Sequence, residues 1–254
     1  MDIVGRGYGP VSGLVAPGRV AAYVAATGDD ADRWRDQAPP SLAGALLFEV
    51  APMFLADPDV VPHTTTVVHA DQTFSWHRPI PIGAAYEVEG SVARVRERSG
   101  TFWVTFESTV TMAGSVAIES TSTFLLSDAA LAAPADEEAE PTLTARAESG
   151  FSASRLDLVS YAAASGDVNP IHWDHDSAVA AGLPGVIVHG LLTNAWIIRH
   201  VIAATEGGHP LAALKTRFRS PIRPAQQVDI SGDPESVSVE CQGVVAATAS
   251  ATLT

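Results

Sequence analysis

The sequence lacks the residues needed for a disulfide-stabilised or cysteine-coordinated protein. Its 254 residues include a single cysteine, Cys241, which excludes both an intrachain disulfide and a cysteine-rich zinc site. Basic residues are also scarce, since 15 Lys and Arg stand against 29 Asp and Glu, giving a formal net charge of -14. Nucleic acids and anionic membranes attract proteins through positive fields. We therefore expect neither as the main partner, although local basic residues could still hold a small anionic ligand.

Long uninterrupted hydrophobic runs are missing as well. The most apolar segment, residues 186–204, contains His189, Asn194, Arg199 and His200, and a membrane-spanning helix would not tolerate so many polar groups. The first residues are rich in Gly and Pro and do not form a charged-then-apolar leader. The hydrophobic fraction of 46% and charged fraction of 17% indicate a compact globular protein. We expect it to be cytoplasmic.

An Ala-, Pro- and acid-rich segment divides the chain. Residues 128–145 have neither the two-residue period of a strand nor the 3.6-residue period of a helix. Such a composition favours a solvated connector. We therefore predict an N-terminal domain over residues 1–127 and a C-terminal domain over residues 146–254.

The same order of signals occurs in both domains. Each begins with a short amphipathic stretch that ends in a Gly-Asp pair, at residues 28–29 and 166–167. A long apolar segment follows, over residues 42–55 and 189–204, and its length predicts a buried helix in each domain. Apolar and polar residues then alternate, which predicts antiparallel strands covering a core on one face. The fold class is thus α+β, with two units, each a long central helix wrapped by an antiparallel sheet, packed as an internal pseudo-dimer.

A rigid bend in the second domain presents two groups that can exchange protons. Gly166 can adopt the left-handed conformation that ends a helix. Pro170 fixes its own φ angle and biases Asn169 toward extended geometry, and Asn169 can hydrogen-bond the neighbouring backbone. Asp167 and His172 are then carried on one turn, and such a pair suits general acid–base chemistry. From these residues alone, a simple Asx turn with His172 as a surface group is an equally acceptable interpretation.

Gly190 begins the second long apolar helix. Its N–H would lie at the positive end of the helix dipole, where it could stabilise an oxygen that becomes negatively charged. A glycine leaves that approach unobstructed. His189, immediately before it, is expected to brace the turn and not to react.

Residues 161–172 (YAAASGDVNPIH) and 184–190 (PGVIVHG) together resemble the signature of MaoC-like, (R)-specific enoyl-CoA hydratases and 3-hydroxyacyl-thioester dehydratases. The repeated layout resembles the double hot-dog members of that family. The resemblance implies that Asp167 and His172 are the catalytic pair and that the Gly190 N–H is the oxyanion donor. It further implies that Asn169 positions the pair and that an acyl chain binds between the two hot dogs.

The reaction implied by this resemblance is the reversible hydration of a trans-2-enoyl thioester to the (R)-3-hydroxyacyl thioester. No cofactor is implied beyond the coenzyme A that forms part of the substrate. The first domain departs from the motif, because Gly28-Asp29 is followed by Asp-Ala-Asp-Arg-Trp and not by Asn-Pro-x-His. The first domain is therefore expected to be catalytically empty and to complete the tunnel.

Three basic residues alternate along a predicted strand: Lys215, Arg217 and Arg219. They would share one face of the sheet, where they could bind the phosphates of coenzyme A. A solvated strand face paired with surface carboxylates is the alternative interpretation.

A metal site is not predicted. His172, Asp174, His175 and Asp176 offer ligand atoms, but no second cluster with recognisable spacing would complete a site. Acidic residues at the start of a helix are ordinary N-caps.

Two other functions remain open from the sequence: a hot-dog thioesterase, and a non-catalytic acyl-thioester-binding or assembly subunit. The acyl group and the choice between coenzyme A and acyl carrier protein are not determined, although the negative net charge disfavours encounter with an acidic carrier. A homodimer is also possible.

Overall fold

The structure is a computed structural model, and it describes residues 1–131 and 151–254. Its main feature is one antiparallel sheet of nine strands in the order β1-β5-β6-β7-β3-β8-β11-β10-β9. The first domain contributes five of these strands: β1 (Gly7–Leu14), β3 (Thr66–Trp76), β5 (Ala85–Arg98), β6 (Thr101–Met112) and β7 (Ser115–Ser127). The second contributes four: β8 (Leu211–Phe218), β9 (Val228–Asp233), β10 (Ser236–Cys241) and β11 (Val244–Leu253). A separate pair is formed by β2 (Gln37–Ala38) and β4 (Ile80–Pro81).

The helices lie against this sheet. The first domain has α1 (Pro17–Thr27), α2 (Ala43–Leu47) and α3 (Ala51–Leu55), and the second has α4 (Arg155–Ser165), α5 (His175–Ala180) and α6 (Gly190–Val201). Short 3-10 turns cover Pro40–Leu42, Val61–His63 and Pro170–His172. None of the helices in the described ranges is long and apolar enough to span a membrane.

The alternating strand pattern is confirmed and explains how the core is built. Along β6, Val104, Phe106, Val110 and Met112 are buried while their neighbours are more exposed. A strand places successive side chains on opposite faces, so this sheet covers the helices with one apolar face. Burial of these side chains is the main source of stability.

The two domains are joined by hydrogen bonds between β3 and β8, which pair antiparallel with Asp71 opposite Arg217. The equivalent helices α1 and α4 also pack together, and the ring centroids of Tyr23 and Tyr161 lie 5.8 Å apart. Both contacts link equivalent elements of the repeat. The structure thus confirms the α+β double hot-dog prediction, with one continuous sheet spanning both units.

One detail of the prediction is wrong. The apolar segment over residues 42–55 does not form a single long helix but two short ones, α2 and α3, separated at residues 48–50. A proline ring clashes with the carbonyl four residues earlier, so Pro52 prevents the helix from continuing through Phe48. Pro52 is instead accommodated in the first turn of α3. The matching segment of the second domain, α6, is unbroken.

Most of the predicted connector, residues 132–145, lies outside the described residues. Its first residues, 128–131, are exposed, and the Leu131 N–H donates to the Ala181 carbonyl at 2.9 Å. The placement of the domain boundaries at residues 127 and 145 stays a prediction.

Candidate active site

The bend that carries the site begins where α4 ends. Gly166 has a φ of 84°, in the left-handed region, and its N–H donates to the Ala162 carbonyl. This conformation is unfavourable for residues with a Cβ and ordinary for glycine. The predicted glycine stop is therefore confirmed, and it turns the chain so that Asp167 points away from the helix.

Asp167 and His172 are both buried, with 7% and 6% of their surfaces exposed. Asp167 Oδ2 and His172 Nε2 lie 4.0 Å apart, which is too long for a direct hydrogen bond and suits one bridging water or substrate hydroxyl. His172 Nδ1 lies 2.9 Å from the Ile187 carbonyl oxygen. A carbonyl can only accept, so Nδ1 carries the hydrogen and Nε2 of the neutral ring presents a lone pair toward Asp167.

Burial favours the uncharged form of each group. It raises the pKa of Asp167 above its usual value, and the opposing effects of a charged His172 and of the Asn169 N–H are smaller. Burial also lowers the pKa of His172, against the opposing effects of Asp167 and of the Ile187 carbonyl. The two groups titrate as a coupled pair. The site thus pairs a carboxyl whose proton is held more tightly than usual with an imidazole that is more readily neutral than usual.

Asn169 supports the bend through long hydrogen bonds. Its side-chain oxygen accepts from the Ile171 N–H at 3.4 Å, and its own N–H donates to Asp167 Oδ1 at 3.4 Å. These contacts close the turn between the two functional groups.

His189 and Gly190 lie where α6 begins. His189 is fully buried, with its Nε2 3.2 Å from the Asp167 carbonyl oxygen and its ring stacked on His172 at a centroid distance of 3.8 Å. Gly190 lines the same cavity as Asp167 and His172. A Cβ placed on Gly190 would lie 3.4 Å from the Phe218 ring, so this ring packs close to the Gly190 backbone.

The cavity has a volume of about 610 Å³ and receives residues from both domains. The second domain supplies most of the polar groups, whereas most of the lining side chains from the first domain are apolar, including Phe48, Leu55, Val67 and Phe124. Phe48 lies at the break between α2 and α3. The first-domain lining was not identified from the sequence, because period-two alternation shows which residues face inward but not which of them border a cavity.

His69 is a second residue that the sequence did not single out. It lines the cavity from β3 and contacts the rings of Phe124 and Phe218 at centroid distances of 4.8 and 5.4 Å. Desolvation lowers the pKa of His69 to about 4, so the ring is neutral at physiological pH.

The three basic residues that were predicted to share one strand face are not brought together in the cavity. Lys215 and Arg217 lie on the exposed face of the strand, and Arg217 Nε donates to Asp71 Oδ1 at 2.8 Å. Arg219 follows the strand and lines the cavity while remaining exposed, so it marks the place where the cavity opens to solvent.

Three potential metal ligands cluster in the site. Asp167, His172 and His189 each offer one ligand atom, and these atoms lie within 4.8 Å of one another. Of the four ring nitrogens of His172 and His189, two already face backbone carbonyl oxygens: His172 Nδ1 and His189 Nε2. Asp174, in contrast, accepts from the Ser177 N–H as the N-cap of α5. The absence of a metal from the reaction stays a prediction.

Comparisons with known proteins agree with this geometry. Residues 130–253 match the model of the MaoC like domain family. The 3-hydroxyacyl-thioester dehydratase X of Mycobacterium tuberculosis is 27% identical over 212 residues, which are 82% of this chain and 73% of that protein. The peroxisomal multifunctional enzyme type 2 of Drosophila melanogaster is 34% identical over 86 residues, but these are only 33% of this chain and 14% of that enzyme.

The fold similarity extends over both domains. The crystal structure of HtdX of Mycobacterium tuberculosis superposes with a TM-score of 0.75 and 25% identity, covering 97% of this chain and 99% of that one. The match to the family model lies in the domain that carries the Asp167 bend, whereas the 212-residue sequence match and the structural match also include the domain that lacks it. Residues 130–253 therefore carry a domain of the MaoC-like dehydratase family, and the whole chain shares the fold of HtdX.

Proposed function

We propose that this protein catalyses the reversible hydration of a trans-2-enoyl thioester to the (R)-3-hydroxyacyl thioester. The observation that carries the proposal is the buried Asp167–His172 pair, which faces an apolar cavity beside the N-terminus of α6. Relatives named as 3-hydroxyacyl-thioester and 3-hydroxyacyl-[acyl-carrier-protein] dehydratases support the same reaction class.

In the hydration direction, a water bridges Asp167 Oδ2 and His172 Nε2. His172 Nε2 accepts a proton from the water while the water oxygen forms a bond to C3 of the substrate. The C2–C3 π electrons shift toward the thioester carbonyl, and the protonated Asp167 carboxyl donates its proton to C2. The pair ends as a carboxylate and an imidazolium, and transfer of one proton from His172 to Asp167 through the next water restores it.

The burial of the pair supports this assignment. A carboxyl whose pKa is raised is available as an acid, and an imidazole whose pKa is lowered is available as a base. Both groups lie on the same side of the cavity, which suits addition of the proton and the hydroxyl to one face of the double bond.

Gly190 supplies the third group. The thioester oxygen gains negative charge as water adds, and the Gly190 N–H at the start of α6 can donate to it with the helix dipole behind. Removing one such donor typically lowers kcat by about 10²–10³-fold.

The apolar wall contributed by the first domain supports a hydrophobic acyl group. Coenzyme A is the carrier favoured by the net charge, since a chain of charge -14 is repelled by an acidic carrier protein. The reaction needs no cofactor besides the thiol portion of the substrate.

The experiment is a hydration assay with trans-2-enoyl-CoA substrates of graded length, followed by the loss of the conjugated thioester. Asp167→Asn and His172→Gln preserve side-chain volume and should each reduce kcat by at least about 10²-fold. Asp29→Asn, at the equivalent place in the first domain, is the matched control and should retain full activity. Chiral analysis of the product tests the (R) configuration.

Full activity in either Asp167→Asn or His172→Gln would contradict the proposal. Release of free thiol without hydration would indicate a thioesterase, and saturable binding without turnover would indicate a binding subunit.

A further inference from the structure

His189 is a histidine in a fully buried position, where it is the N-cap residue of α6. Its ring is stacked on His172 with an interplanar angle of 24° and contacts Tyr161 at a centroid distance of 4.8 Å. His189 does not border the cavity. Its ring is thus held by two neighbouring rings and has no direct contact with a bound substrate.

The hydrogen bonding of His189 is incomplete. Its Nε2 faces the Asp167 carbonyl oxygen at 3.2 Å, and because a carbonyl only accepts, Nε2 must carry the hydrogen. Nδ1 then holds a lone pair that is buried and has no hydrogen-bond partner in the described part of the chain. A buried unpaired acceptor is destabilising. The histidine therefore needs a reason that packing alone does not give.

The first domain enters its corresponding helix without a histidine. There the helical run begins at Pro40, and Pro39 before it has the extended backbone that His189 has before α6. That domain also lacks the Asp…His bend. Entry into this helix therefore does not by itself require a histidine.

We infer that His189 is a positioning residue that holds Asp167 through its N–H and His172 through its ring face. The hydrogen bond fixes the peptide that follows Asp167, and the stack restricts rotation of the His172 imidazole, whose other constraint is the bond to the Ile187 carbonyl. The effect on catalysis rests on the proposed function, whereas the effect on the geometry of the pair does not.

The kinetic test compares His189→Leu, which removes the ring and its N–H, with His189→Gln, which keeps an N–H donor. Small misplacements of reacting groups reduce rates strongly, so His189→Leu should lower kcat by about tenfold or more with KM changed by less than about threefold. His189→Gln should recover part of the loss. Leu42→Ala, at a buried position just before α2 in the first domain, is the control and should lower the melting temperature while leaving kcat unchanged.

A second readout does not depend on turnover. Nitrogen-15 NMR of the imidazoles should place the hydrogen of His189 on Nε2 and that of His172 on Nδ1, and His189→Leu should convert His172 to a mixture of tautomers. Wild-type kcat together with an unchanged His172 tautomer in folded His189→Leu would overturn the inference. If that variant does not fold, a His189 hydrogen on Nδ1 in the wild-type spectrum would overturn it. An inactive wild type would refute the proposed hydratase function while the spectra still tested the geometry.

Discussion

Three histidines, His69, His172 and His189, are held neutral by the fold. Desolvation lowers the pKa of each imidazole, to about 4 in the case of His69. In the unfolded chain these groups titrate near their usual value of about 6.5. Below that pH the unfolded state binds more protons than the folded state, so the free energy of unfolding falls as the pH decreases toward 4.

We expect the free energy of unfolding to be lower at pH 4.5 than at pH 7 by more than about 1 kcal/mol, because each unit of pKa shift corresponds to about 1.4 kcal/mol. Urea unfolding across this range measures it. His69→Phe keeps the ring contacts with Phe124 and Phe218 but has no titrating group, so its curve should be flatter than that of the wild type. Parallel curves would show that His69 is already neutral or equally solvated in the unfolded chain.

Arg217 on β8 and Arg219 just after it lead to a prediction for substrate binding. Arg219 lines the cavity opening, whereas Arg217 is paired with Asp71 on the exposed sheet face. Arg219→Ala should therefore raise the KM for an enoyl-CoA substrate, and Arg217→Ala should leave it unchanged. Because exposed ion pairs contribute about 0–1 kcal/mol, Arg217→Ala should also have little effect on unfolding. A higher KM in Arg217→Ala would support the interpretation of Lys215, Arg217 and Arg219 together as a site for the coenzyme A phosphates.

At the scale of elements, the start of α6 is a place where a substitution should change activity without changing stability. Gly190 has helical backbone geometry, and an added Cβ would make an ordinary contact with Phe218 at 3.4 Å. Gly190→Ala should therefore fold normally. It should lower kcat, because the methyl group obstructs the approach to the N–H. Thermal unfolding and kcat measured on the same preparation would distinguish the two effects, and an unchanged kcat would argue against a role for this N–H.

Sequence patterns predicted the elements that depend on local chemistry. The glycine at position 166, the long apolar α6 and the alternation along β6 each follow from nearby residues, and each is present. The break at residues 48–50 could have been predicted from Pro52, whose effect on a helix is local. The pairing of β3 with β8 depends on residues about 140 positions apart, and no local signal specifies such a partner.

The site was predictable to a similar extent. Asp167 and His172 could be identified because one bend of six residues carries both groups. The stacking of His189 on His172 and the location of His69 in the cavity wall arise from packing between elements. These contacts required the folded arrangement.

At the scale of the whole molecule, the continuous sheet connects the two domains. Hydrogen bonds between β3 and β8 run through its centre, and α1 packs on α4 beside them. Separating the domains would expose the edges of both central strands and the apolar contact between the helices. We therefore expect a single cooperative unfolding transition, with circular dichroism and tryptophan fluorescence giving the same midpoint. Two resolved transitions would mean that the domains are independently stable.

The break between α2 and α3 bears on which substitutions can reshape the cavity. Phe48, within this break, and Leu55, at the end of α3, border the cavity from the domain that lacks the Asp…His pair. Substitutions there can reshape the space for an acyl group without touching the bend that holds Asp167 and His172. Under the proposed function, the two halves of the polypeptide thus carry an apolar part of the acyl site and the proton chemistry separately, so that each can be engineered while the other is left intact.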